Sequence, residues 1–192
     1  GMGVYAPYGG SITWPQDTGF RAVALRTKLT YVTANPVIAC ELAPGLSIGV
    51  GAMVNYADLQ LEQGIRRDEW PAPFVDYFRF QGEGWSVGYN AGILWQPHEM
   101  LSFGANFRSS VTTEFEGHTD VEFYPVIRSN YRSAAQASYN FPLTAVLGVS
   151  YKPTPRWNLE FDADFTDWSS LGTVTIYQAN PNPNVQSNPA FI

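Results

Sequence analysis

The sequence predicts an all-β protein and, within that class, a transmembrane antiparallel up-and-down β-barrel present only in part. Three observations predict it. Apolar and polar residues alternate with period two over runs of about 9–11 residues or longer, long enough to cross a bilayer with tilt. Composition is poor in charge and rich in rings: 15% of the 192 residues are charged, against about 25% in soluble domains, beside 6 Trp, 11 Tyr and 12 Phe. Connections between the runs alternate between short Pro-containing turns and long polar stretches, a pattern of outer-membrane barrels. No apolar stretch approaches the roughly 20 residues of a membrane helix, which leaves strands as the means of crossing.

Taken in order, the strands are Gly3–Tyr8, Leu25–Leu42, Leu46–Leu61, Gly84–Gln96, Leu101–Glu116, Leu143–Lys152 and Trp157–Ser169. The third sets Leu46, Ile48, Val50, Ala52, Val54 and Tyr56 against Ser47, Gly49, Gly51, Met53 and Asn55. In the fourth, Trp85, Val87, Tyr89, Ala91, Ile93 and Trp95 oppose Ser86, Gly88, Asn90 and Gly92, with a Trp at each end where an interfacial girdle would sit. Leu101, Phe103, Ala105 and Phe107 then oppose Ser102, Gly104, Asn106 and Arg108. The last sets Trp157, Leu159, Phe161, Ala163 and Phe165 against Asn158, Glu160, Asp162 and Asp164.

Short turns are expected at Ala43–Gly45, Pro97–Met100 and Pro153–Arg156. Long connections are expected at Glu62–Glu83, Gly117–Pro142 and after Ser170. Seven strands are fewer than the roughly eight of the smallest common closed barrels, and hydrocarbon forbids unpaired strand edges. Residues 1–192 are therefore expected to be a single piece of a larger barrel. The start, Gly1-Met2-Gly3, has no basic patch or apolar signal core, and Gln178–Ile192 reads as an open loop.

Chemistry is mostly excluded. With 11 basic and 17 acidic residues the net charge is −6, which disfavours nucleic acid. Cys40 is the single cysteine, and no Cys/His cluster suits zinc. Gly84-Trp85-Ser86-Val87-Gly88 spells a nucleophile elbow, but that device needs a turn into a helix, and the alternation runs on unbroken to Trp95. The run from Asp162 to Asp167 lacks the glycine and glutamate of a calcium loop. Gly82 and Gly84 open a strand rather than the helix a dinucleotide fingerprint needs, and His98 and His118 have no ligand spacing. No catalytic residue, metal site or cofactor is expected, and the chain is not read as an enzyme. Arg108, Glu114, Glu160, Asp162 and Asp164 fall on polar faces, where a salt-bridge network lining a lumen is expected.

Several blocks carry a family likeness: APYGG at Ala6–Gly10, LAPGLSIGVGAMVNYADLQLE at Leu42–Glu62, GWSVGYNAGILWQP at Gly84–Pro97, FGANFRSSVTTEFEG at Phe103–Gly117 and FTDWSSL at Phe165–Leu171. In these blocks and their order the chain resembles the outer-membrane long-chain fatty acid and aromatic-hydrocarbon transporters of the FadL/TodX type. The resemblance implies a fourteen-stranded barrel in the bacterial outer membrane, a monomer when full length, plugged by an N-terminal hatch with an Asn-Pro-Ala motif. That hatch would lie upstream of Gly1, and Asn35-Pro36-Val37 sits within a strand pattern instead.

The implied function is passive transport: an apolar solute binds inside and leaves sideways, beside a kinked strand, into outer-membrane lipid. Tyr8 and Gly9 match the kink, although a glycine turn ending a short strand reads equally from the residues. Leu61 and Phe80 match pocket positions, and either reads from the residues as ordinary loop packing too. Gln63 falls where the family places an arginine facing the fatty carboxylate, and a neutral amide cannot supply that charge-assisted bond. Either Arg66 or Arg67 takes over, or the ligand is a neutral hydrocarbon. The alternative function is a general porin or a surface receptor or adhesin barrel; a porin would call for charged lumen faces, whereas these are rich in Gly, Ser and Asn.

Overall fold

The computed structural model describes residues 1–65, 76–123 and 129–180. Its strands are β1 (Met2–Tyr5), β2 (Gly9–Thr13), β3 (Arg26–Ala43), β4 (Leu46–Gly64), β5 (Tyr77–His98), β6 (Leu101–Arg108), β7 (Val111–Phe123), β8 (Ser129–Phe141), β9 (Thr144–Thr154), β10 (Trp157–Thr166) and β11 (Ile176–Gln178). All belong to one antiparallel sheet whose ends, β1 and β10, do not pair with each other.

These segments follow seven strand courses. β1 and β2 both run along β3, and β6 and β7 both run along β5. β9 pairs β6 and β8 pairs β7 in one register, since Arg108 faces Thr144 and Val111 faces Phe141. β10 and β11 complete the last course against β9 and β8. The result is an up-and-down meander in which three courses break at one level, at residues 6–8, 109–110 and 142–143.

Each break reverses the faces. Arg108 stands opposite Asn90, but Glu116 stands opposite Glu83, a slip of one residue along β5. With a side-chain period of two, a one-residue slip turns every later side chain to the other face. Even-numbered residues of β6 accordingly share the inner face with Asn90, whereas Val111, Thr113 and Phe115 of β7 are the buried ones. This corrects two expectations. Leu101–Glu116 is two strands rather than one, and Glu114 lies on the exposed outer face rather than in the lumen.

The expected long connections are also shorter than predicted. β4 continues to Gly64 and β5 starts at Tyr77, and most of Gly117–Pro142 is strand. β10 stops at Thr166, before a single 3-10 turn at Trp168–Ser170 and then β11. In these segments charged residues point outward, as Glu114, Glu116, Asp120 and Glu122 do in β7. Charge density reads as loop, although the alternation persists.

Two halves result. Toward the short turns, the outer face is apolar and bare: Trp85 is 70% and Val87 72% exposed, and Ile93, Trp95, Leu147 and Phe161 are exposed with them. Among the described residues, no second layer covers this row. At about 3.4 Å per residue and a tilt near 40°, the path from Trp85 to Trp95 rises about 25 Å, the height of an outer-membrane apolar band. Aromatic pairs mark both borders, Tyr56 with Trp85 at 5.1 Å and Trp95 with Phe103 at 5.5 Å. Toward the long connections the pattern inverts: the outside is charged and the inside carries the apolar core.

Candidate functional site

The core of that second half is built on the inner faces of β3, β4, β5, β7 and β8. Leu61 and Phe80 are direct cross-strand partners, and both belong to a buried cluster with Tyr31, Leu59, Phe115 and Phe141. Phe80 and Phe115 are wholly enclosed. Close strand packing here excludes side chains: a Cβ on Gly117 would collide with the Gln81 carbonyl, so only glycine lets β7 lie on β5.

The kinked first course supplies the next wall. After β1, residues 6–8 leave the ladder, and Gly9 resumes it at φ 146°, a conformation other residues rarely take. Tyr8 thereby points inward. Its ring meets Tyr31 at 5.4 Å edge-on and Phe141 at 5.0 Å, and its hydroxyl donates to the Pro142 carbonyl at 3.2 Å. On one side of Tyr8 lies an apolar cavity of about 510 Å³ whose lining includes Ile12, Leu29, Tyr139, Phe141 and Trp168. On the other lies a smaller space of about 100 Å³ lined by Tyr5, Thr33, Asn55 and Arg108 among others.

At the level of the breaks the inner face turns polar without charge pairing. Thr33 Oγ1 donates to Asn55 Oδ1 at 2.8 Å, the amides of Asn35 and Asn90 exchange hydrogen bonds of 3.2 and 3.1 Å, and Ser86 and Thr113 hydroxyls lie 2.8 Å apart. Asn55, Ser86 and Asn90 fall on the polar faces that the alternation marks as inward, whereas Thr113 turns inward only through the slip after Arg108. Their mutual pairing is tertiary and leaves no signal in the sequence.

The remaining expected positions are dispersed. Gln63 sits on the same face of β4 as Leu61, opposite Phe78 and half-buried. Arg66 and Arg67 lie outside the described residues. Arg108 is placed over the Tyr5 ring, 5.0 Å from its centroid. Glu160, Asp162 and Asp164 line β10 at the open edge, exposed, and among the described residues no ion pair joins them to Arg108. The cations that are paired lie elsewhere. Arg21 reaches Asp76 at 2.9 Å beside Gly64, and Arg79 reaches Glu62 at 2.7 Å. Arg21 falls in the stretch between β2 and β3, where no periodicity marks it.

Comparison with known proteins gives a consistent picture. Residues 1–190 match the family model described as outer membrane protein transport protein (OMPP1/FadL/TodX). Among curated proteins, the chain is 22% identical over 174 residues to a long-chain fatty acid transport protein of Escherichia coli, covering 83% of this chain and 35% of that one. It is 24% identical over 174 residues to outer membrane protein P1 of Haemophilus influenzae, covering 76% of this chain and 37% of that one. Its fold matches a crystal structure of a Pseudomonas aeruginosa FadL homologue with a TM-score of 0.81 at 19% identity, over 93% of this chain and 47% of that one. The Ralstonia pickettii toluene transporter TbuX matches with a TM-score of 0.74 at 12% identity, over 100% of this chain and 58% of that one. The chain thus spans about a third of the curated relatives it matches and about half of the solved barrels.

Proposed function

This chain belongs to the outer membrane transport family OMPP1/FadL/TodX, and from that premise we propose that it forms part of a barrel for passive uptake of hydrophobic small molecules. Long-chain fatty acids and aromatic hydrocarbons are the candidate solutes, since relatives are described as transporting one or the other. The observation that carries the reading is the inversion of polarity. Where the outside is charged, the inside is apolar: Leu61 and Phe80 lie in its buried cluster, and an apolar cavity of about 510 Å³ opens beside that cluster at Tyr8, Leu29, Tyr139 and Phe141. A water-filled porin has no use for an apolar interior, and nothing here favours a receptor or adhesin.

The mechanism needs no covalent chemistry. Apolar contact releases roughly 25 cal/mol per Å² buried, enough to draw a hydrophobic solute out of water into the pocket. Ile12, Leu29, Tyr139 and Phe141 supply the apolar wall, backed by the buried cluster that holds Leu61 and Phe80. Tyr8 stands below the cavity, and the solute leaves sideways beside the kink between β1 and β2. Unpaired backbone there lowers the cost of parting the wall, and the solute enters outer-membrane lipid. The two unpaired edges of the sheet are closed by further strands, and a hatch closes the lumen, in the complete monomeric barrel. Proteoliposomes carrying the full-length protein take up labelled fatty acid or alkylbenzene and exclude small sugars. Sugar flux without lipid uptake overturns the reading in favour of a porin.

A further inference from the structure

The small space of about 100 Å³ beneath Tyr8 is chemically unlike the cavity above it. It has room for about three waters at about 30 Å³ each, or one small polar head. Its lining holds a guanidinium, Arg108, and no acidic side chain. It also holds two buried polar atoms without hydrogen-bond partners, Asn55 Nδ2 and Tyr5 Oη. Asn55 is only 1% exposed, and its carbonyl is already used by Thr33. Its amide group is therefore left facing the space with protons to donate and nothing to receive them. A buried donor in that state costs free energy until something accepts from it.

Both unpartnered groups can thus donate into this space, and the Arg108 guanidinium beside them bears positive charge. We propose that it is a head-group subsite for a carboxylate-headed amphiphile, with Arg108, Asn55 and Tyr5 donating to the carboxylate and the tail rising past Tyr8 into the apolar cavity. Tyr8, Pro7, Phe141 and Pro142 wall both spaces, so a chain threading between them stays in apolar contact. Gln63 lines neither space and has no charge to offer. The cation that selects a carboxylate is supplied from β6, at the level where the strands break. Charge-assisted bonds of this type outweigh neutral ones, so the subsite discriminates an acid from its ester.

This inference rests on the uptake reading above, and its test separates the two. Affinities of the full-length protein in detergent are measured for hexadecanoate and for its methyl ester. Arg108→Gln weakens hexadecanoate roughly ten- to a hundredfold and moves the ester by less than about twofold. Arg108→Lys recovers most of the loss, and Asn55→Val gives a smaller loss again confined to the acid. If Arg108→Gln leaves the acid untouched while the ester still binds, the subsite is wrong and the apolar pocket stands. Equal weakening of acid and ester likewise overturns the subsite, by making Arg108 structural. Failure of the unaltered protein to bind hexadecanoate and its ester overturns the subsite, and failure to bind an alkylbenzene as well overturns the uptake reading.

Discussion

Along β5 a single strand passes between two opposite environments. From Trp85 to Trp95 its odd residues are bare and apolar while its even residues, Ser86, Gly88, Asn90 and Gly92, look into a polar interior. From Tyr77 to Glu83 the outward residues include Arg79, Gln81 and Glu83, and the inward Phe80 is fully buried. The strand keeps its parity throughout. What changes is the medium, hydrocarbon outside one half and water outside the other, and the interior changes with it. The neighbouring courses make the same exchange by breaking and slipping one residue, which reverses their faces at the same height. The proposed uptake needs both halves, one to span the membrane and one to hold an apolar solute.

The largest effect is expected from the buried apolar half. Phe115→Ala, at a fully enclosed position, should destabilise the full-length barrel by about 3–5 kcal/mol in denaturant titration of vesicle-folded protein, through lost transfer energy and the cavity left behind. Next comes the lipid-facing half. Leu147→Arg, exposed in the middle of the apolar band, should cost about 2–4 kcal/mol by the same measurement. Gln136→Arg, on the exposed outer face of β8, should stay within about 0.5 kcal/mol. Equal costs at these two sites would erase the distinction between the halves.

The border between them is sharpened by Thr113→Val, which strips the buried Ser86 hydroxyl of its 2.8 Å partner and should cost about 1–3 kcal/mol. The double change with Ser86→Ala should recover much of that, because no orphaned hydroxyl remains. The smallest effect is expected at the charged rim. Breaking the Arg79–Glu62 pair by Glu62→Gln should cost no more than about 1 kcal/mol, the Arg79 side chain being 32% exposed, and the cost should shrink at high salt.

The sequence made the lipid-spanning half legible, and the physical reason is simple. One face there must be apolar for hydrocarbon, and nothing in the interior competes with that pattern, so Trp85, Val87, Ile93 and Phe103 stand out against glycines and serines. The other half was harder to read because both faces break the usual rule. β7 places Glu114, Glu116 and His118 outward and Phe115 inward, so its charge density imitates a loop and its parity contradicts that of β6. Of the site, resemblance singled out Leu61 and Phe80, which meet in the buried cluster and do not line the cavity. The donor-lined space left no mark in the sequence. Tyr5, Asn55 and Arg108 come from three courses, and only the pairing across the sheet brings them to one space.

The exchange of media is tested most directly by fluorophores placed along the outer face of the full-length protein in vesicles, after Cys40→Ser removes the native thiol. Labels on Val87→Cys, Ile93→Cys and Phe103→Cys should be quenched by brominated lipid tails and shielded from aqueous iodide, whereas labels on Glu114→Cys and Glu116→Cys should show the reverse. Iodide quenching at positions 87, 93 and 103 that matched positions 114 and 116 would contradict the account.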